Sequence, residues 1–354
     1  MSNDPRLSEA RRWLGEDLSL SIASLEPASA DASFRRYFRA GLDHGATRIL
    51  MDAPPGKEDL GAYLRVSALL ESCGVHVPHV HAADTRLGFA LLEDLGGTHM
   101  LTGLAAGLDP ARLYRDALVA LAGLQLNGDA ASMQLPPYDQ AVLRREMQLM
   151  PEWFCTRHLG MALSASQQQM LQDSFAFLEQ EALAQPRVFV HRDYHSRNLM
   201  LVPERSPGVI DFQDALRGPV GYDLVSILKD CYVAWPRARV EDWVDEFRAL
   251  LQAGGDHGRR LAGSSRAGFL RGFDAIGLQR HIKVLGIFAR LCWRDGKPGY
   301  LGDLPRTLDY VRDAVQRFAE LAPLAAFVET QLVLRLDGAN QRALAAAERS
   351  RDGA

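Results

Sequence analysis

Two carboxylates and an amide stand close enough in this sequence to work on the same reacting group. They are Asp193, Asn198 five residues on, and Asp211 thirteen beyond that. Oxygen ligands of this kind suit a hard cation such as magnesium, which takes one or two carboxylates and leaves its other positions to phosphate oxygens and water. A carboxylate that is not a ligand can orient a hydroxyl and accept its proton. Phosphoryl transfer asks for little more, because its loose transition state makes few covalent demands and depends on positioning and charge neutralisation. In that reading Asp193 is the base, and Asn198 and Asp211 hold magnesium against the phosphates of ATP. With an unperturbed pKa of about 3.9, Asp193 is a weak base at neutral pH. It should orient the hydroxyl first and take the proton late, so that metal electrostatics carry more of the rate.

The elements that must position these groups are two short apolar runs, Val188-Phe189-Val190 before the loop and Gly208-Val209-Ile210 after it, each of a length for a buried strand. Between and beyond them, His191-Arg192-Asp193 with Asn198 fits the kinase catalytic-loop pattern H-R-D-x-x-x-x-N. Asp211-Phe212 takes the place of D-F-G, with Gln213 where the glycine would be. Together with Ile210 to Ala215, Gly218-Pro219 and Tyr222-Asp223-Leu224, the block resembles the aminoglycoside phosphotransferase and choline kinase family. Ala32 to Phe38, Met51 to Pro55 and Trp293 to Lys297 make the chain most similar, within it, to the anomeric sugar kinases of cell-wall recycling.

That resemblance implies an α+β, bilobal protein-kinase-like fold, with a small antiparallel-sheet N-lobe over residues 1–95 and a larger, mostly α-helical C-lobe over 96–354. It implies a hinge at about 92–97, where backbone atoms around Glu93 and Leu95 would meet adenine. It places the first turn, with Ser33, Phe34 and either Arg35 or Arg36, over the phosphates. The implied cofactors are ATP and Mg2+. The implied acceptor is the anomeric C1 hydroxyl of N-acetylmuramate and N-acetylglucosamine, in peptidoglycan recycling. His195, Arg197 and Arg294 are the candidate substrate contacts, and Asp223 would support the catalytic loop from behind, N-capping being its ordinary alternative. The alternative function is a phosphotransferase for an aminoglycoside or another small alcohol. A protein kinase is disfavoured by the lack of an A-P-E segment and of an evident activation loop, and a nucleotide-binding module without turnover by the intact Asp193, Asn198 and Asp211.

Two departures from the family stand out. Ala32-Ser33-Phe34 replaces a glycine-rich turn. The third strand, Ile49-Leu50-Met51-Asp52, lacks the lysine that pairs with phosphates, which leaves Arg36, Arg48, Lys57 or the metal alone to supply that charge.

Apolar patterning fills in the rest. Leu18 to Ile22, Phe34 to Arg39 and Arg48 to Met51 read as strands, and Val77 to Asp84 with Gly88 to Glu93 as a hairpin. A helix over 57–72 carries Leu60, Tyr63 and Leu64 on one stripe; Glu71 returns to nearly the same angle, as a helix glutamate for the strand cation would, but its place just before Gly74 favours a frayed helix end. Helical spacing recurs over 110–126, 137–158, 164–183, 220–233, 240–251 and 266–293. Trp153, Phe154, Trp293 and Tyr300 are equally suited to a sugar platform and to a core.

A net charge of -4 without a basic stripe argues against a nucleic-acid binder. The absence of an apolar run of about 18 residues argues against a membrane span. The charged N-terminal segment lacks the apolar core of a secretory signal. The four cysteines have no C-x-x-C spacing, which argues against a zinc site or a disulfide framework. The expectation is a cytoplasmic monomer that acts on a small molecule.

Overall fold

The computed structural model describes residues 4–30, 34–43 and 45–352, and its chain forms two compact units: Met1–Leu124 with Arg197–Ala215, and Gln125–Ser196 with Leu216–Ala354.

The first unit is built on an antiparallel sheet of β1 (Ile22–Ala30), β2 (Arg36–Leu42), β3 (Thr47–Asp52), β4 (Val80–Asp84) and β5 (Phe89–Glu93), in the order β1-β2-β3-β5-β4. Alternation along β2 buries Phe38, Ala40 and Leu42. Phe38 and Ala40 join Leu50, Phe89 and Leu91 from the neighbouring strands and Ala10, Trp13 and Leu14 from the N-terminal helix in one cluster. The strand expected at 18–22 lies further along. Leu20 instead donates back to the Leu14 carbonyl (3.0 Å), and Leu18 and Leu20 pack on the core outside the sheet. Pro27 concealed the true strand, since proline weakens a strand reading; β1 is an edge, where the missing N–H is tolerated.

The helix after β3 runs Leu60–Ser72, because Asp59 caps it through the Ala62 amide (3.0 Å) while Lys57 and Glu58 close a turn on the Pro54 carbonyl. Leu60, Tyr63, Val66 and Leu70 face inward; Glu71 is exposed and meets His79 at 3.1 Å rather than lying on the inner face. A ribbon of Leu199–Met200 paired with Gly208–Val209 completes the unit. It is fastened by the Leu201 amide to the Thr98 carbonyl (2.8 Å) and the Val209 amide to the His76 carbonyl (2.7 Å).

The second unit is helical around the Arg266–Trp293 helix, which Ser265 caps through the Gly268 amide. This helix is apolar or buried on most sides, as a central helix must be. The expected helix over 137–158 is split into Gln140–Met147 and a wider π-helical stretch, Met150–His158. Pro151 is the physical reason, having no N–H to continue the ladder. The helix expected over 220–233 is only Tyr222–Leu228, since Asp230 turns back to take the Tyr232 amide (2.9 Å). Arg187–Val190 pairs with Leu216–Pro219 and is buried from Val188 onward.

The central helix makes its tightest approach at Gly286, where a Cβ would stand 2.3 Å from the Leu149 carbonyl carbon, whereas at Gly277 it would meet Val225 at an ordinary 3.4 Å. Gly286→Ala should therefore destabilise by about 3 kcal/mol through overpacking, while Gly277→Ala should be neutral or gain up to about 1 kcal/mol from helix propensity. Thermal melts of the two variants check this; equal melting points would contradict it.

Candidate active site

Two aspartates hold the loop that leaves the Arg187–Val190 strand, one at each end. Asp223 is wholly buried in the first turn of the Tyr222–Leu228 helix. It accepts the His191 amide on Oδ2 (2.7 Å) and the Arg192 amide on Oδ1 (3.0 Å). Asp230, also buried, accepts the Ser196 amide (2.9 Å) and hydroxyl (2.5 Å) on one oxygen. Arg192 sits at φ +77°, a conformation that an L-residue keeps only when its neighbours enforce it. The amide bonds to Asp223 supply that enforcement. His191 accepts the Asp193 amide on Nδ1 (3.2 Å), so its neutral ring carries the proton on Nε2. Burial pushes the Asp223 carboxyl up to about 7, against the pull of the two amides, which favour the anion.

Asp193 hangs from this loop in a positive field. Burial opposes its ionisation, but Lys283, His195, Arg280 and Arg192 more than offset that and hold its pKa below the ordinary carboxylate value. These cations are themselves fixed. Lys283 donates to the Tyr222 hydroxyl (3.1 Å) and pairs with Glu146 (3.1 Å); Arg280 donates to Ser226 Oγ (2.7 Å); Arg192 also pairs with Glu146. Buried Glu146 stays ionised because Lys283 and Arg192 outweigh its desolvation.

In the first unit, Asn198 and Asp211 come together. The Asn198 amide nitrogen lies 3.3 Å from Asp211 Oδ2, and the Ile210 amide donates to the Asn198 carbonyl (3.0 Å). Asp211, at φ +63°, also receives Gln213 Nε2 on Oδ1 (3.0 Å), so the residue that replaces the motif glycine braces the carboxylate. Phe212 is fully buried against Tyr63, ring centroids 4.8 Å apart. The donor set fits magnesium: one carboxylate and one amide oxygen leave positions for phosphate and water. No group of three or more His, Cys, Asp or Glu residues suited to zinc-like binding occurs among the described residues.

The unit boundary falls between Ser196 and Arg197, so Asp193 stands in one unit and Asn198 with Asp211 in the other. Ser33 lies outside the described residues. Phe34 is exposed, with its amide on Glu58 (3.0 Å) and its ring under Lys57. Arg36 is not beside Asp211: its guanidinium bonds Asp52 and Asp4. The Glu93 carboxylate accepts His76 Nε2 (3.3 Å) and the His79 amide (3.2 Å), and Leu95 is buried. His195 packs edge-on to Tyr232, Arg197 is exposed, and Arg294 is exposed and paired with Asp295. The sequence reading missed Asp230, Glu146, Arg280 and Lys283. Arg280 and Lys283, the latter one of four lysines in the chain, showed only as charge within the largely apolar central helix, while Glu146, next to Arg144 and Arg145, and Asp230, past the end of its helix, gave no such signal.

Several known proteins are similar to this chain. The model of the phosphotransferase enzyme family (APH) matches residues 24–263. The N-acetylmuramate/N-acetylglucosamine kinase of Pseudomonas aeruginosa is 46% identical over 335 residues, covering 92% of this chain and 96% of that protein. Its counterpart in Neisseria meningitidis serogroup B is 44% identical over 325 residues, covering 91% and 95%. Among solved structures, the GDP complex of aminoglycoside 2'-phosphotransferase-IIIa aligns with a TM-score of 0.57 at 16% identity, covering 89% of this chain and 100% of that one. That likeness establishes the kinase-like fold.

A carboxyl whose folded pKa of about 7 lies above the 3.8 of the free side chain takes up a proton on folding between those values. Its contribution to stability is complete below about pH 3.8 and is lost as pH rises through about 7. Wild type should therefore lose more stability than Asp223→Asn between pH 4 and 8, by a margin on the order of 4 kcal/mol. Urea unfolding of both proteins across that range measures the difference, and parallel pH profiles would refute it.

Proposed function

The chain belongs to the phosphotransferase enzyme family, and from that premise we propose that it transfers the γ-phosphoryl group of ATP to the anomeric hydroxyl of N-acetylmuramate and N-acetylglucosamine. The observation that supports transfer chemistry is the meeting of Asn198 with Asp211 on one ribbon, five residues of chain from an ionised Asp193. The acceptor rests on the two relatives of that name, which match nearly the whole chain.

In this reading Asn198 and Asp211 hold Mg2+, which supplies charge neutralisation on the phosphates. The Asn198 side chain carries both an amide nitrogen and an oxygen, so the group that touches Asp211 can also ligate through its oxygen. Asp193 accepts the hydrogen bond of the sugar hydroxyl and orients it for in-line attack. The cations around Asp193 make it a still weaker base than an exposed aspartate, so proton transfer comes late. An anomeric hydroxyl, more acidic than an ordinary alcohol, suits such a base. Asp223 and Asp230 keep the loop from drifting, which matters because small misplacements of a reacting group are costly.

We place the hinge at 92–97, where Gly96 at φ +84° and the Asp94–Arg39 pair (2.6 Å) set the backbone that would meet adenine; the Glu93 side chain is engaged elsewhere. His195 and Arg197, two and four residues past Asp193, are our candidates for substrate contact. Arg294 would have to leave Asp295 to contribute. The four cysteines are free and buried, and no helix among the described residues is long and apolar enough to cross a membrane. Both facts suit a cytoplasmic enzyme, which we take to work as a monomer.

Asp193→Asn should leave ATP affinity intact and lower turnover by roughly 10² to 10⁴, whereas Asp211→Asn should weaken MgATP binding as well as rate. Full activity of both variants on every sugar tested would sink the assignment. Product chemistry separates acceptors: a glycosyl 1-phosphate is lost in mild acid, and a phosphate that survives such treatment would favour an aminoglycoside or other small alcohol.

A further inference from the structure

A kinase-like site normally draws a lysine from its third strand to the nucleotide phosphates, oriented by a glutamate. Here β3 has none, and its last residue, Asp52, is buried under Arg6 and Arg36. Most nearby cations are engaged elsewhere. Arg36 clamps Asp52 and Asp4, Arg39 is paired with Asp94, Arg48 donates to the Thr47 carbonyl (2.9 Å), and Lys57 lies over the Phe34 ring.

Arg35 differs. It is 8% exposed, with Nε 3.7 Å from Glu58 Oε2 and Nη2 3.5 Å from Asp211 Oδ1. A guanidinium kept out of water beside the carboxylate assigned to the metal is placed where negative charge is to arrive. Its planar fork suits phosphate oxygens, and its charge does not titrate in the working range of a protein. Glu58 does two things for it. Besides the ion pair, Glu58 accepts the Phe34 amide (3.0 Å), so one carboxylate anchors both the side chain of Arg35 and the backbone just before it.

We propose that Arg35, positioned by Glu58, is the cation that receives the nucleotide phosphates in this protein, in the role that the missing strand lysine would play. The inference rests on the kinase reading, but its test does not need turnover. Adenosine presents the base and sugar without phosphates, so the charge term is isolated by comparing the two ligands.

Affinities for MgATP and adenosine are measured by titration calorimetry on the full chain, for wild type, Arg35→Gln, Arg35→Lys and Glu58→Gln, with thermal melts of each. Arg35→Gln should weaken MgATP roughly 10- to 100-fold and leave adenosine unchanged. Arg35→Lys should recover part of the loss, and Glu58→Gln should show a smaller loss of the same kind. Wild-type MgATP affinity in Arg35→Gln, or equal losses for both ligands, overturns the proposal; equal losses would mark Arg35 as structural. If Arg35→Gln does not fold, Glu58→Gln and Arg35→Lys decide, and unchanged MgATP affinity in both overturns it. A wild type that binds MgATP but phosphorylates no amino sugar overturns the acceptor assignment alone, while the variants still decide on Arg35. A wild type that binds no MgATP overturns both.

Discussion

The buried carboxylate of Asp223 is the contact on which the loop that carries Asp193 depends. It takes two successive amides, those of His191 and Arg192, at the point where the chain adopts a left-handed turn out of a buried strand. Without an acceptor there, two N–H groups would be stranded in the interior, each at a cost of about 1–3 kcal/mol. The strained turn would also have nothing to enforce it. Asp230 performs the same service for Ser196, and both aspartates descend from one short stretch of chain, so the loop is held like a cord between two pegs on a common board. What projects from it, Asp193, inherits their rigidity.

Charge in the second unit is arranged around that projection. Lys283, Arg280 and Arg192 are buried or partly buried cations, which interior packing tolerates only with partners. Glu146, Tyr222 and Ser226 are those partners. The result is an aspartate that stays anionic in a partly dry setting. An enzyme working by positioning needs such a group more than it needs a strong base.

The sequence made the loop legible because its chemistry is local: an aspartate, an asparagine and a second aspartate at fixed intervals, between strand-like runs, leave few other readings. The long central helix was legible for a similar reason, its apolar spacing continuing unbroken from Arg266 to Trp293. Other features resisted. β1 hid behind Pro27, whose effect depends on whether a strand is an edge, and strand order is not written in local pattern. The helix over 137–158 looked continuous because Pro151 interrupts hydrogen bonding more than apolar spacing. Glu71 has the angle of an inward carboxylate, but its place near the helix end, before Gly74, favours the exposed position it takes beside His79. Arg36 was a plausible phosphate contact until long-range pairing with Asp52 and Asp4 claimed it, and its neighbour Arg35 gave no local sign of its burial.

The packing of Phe212 on Tyr63 carries a consequence for how the first unit can fail. Tyr63 belongs to the helix that begins just past Glu58, so the Asp211 carboxylate, next to Phe212, and the Arg35 guanidinium hang from a single rod and the turn that leads into it. Lesions that loosen this rod would disable both signs of charge together, even where they lie well away from either group.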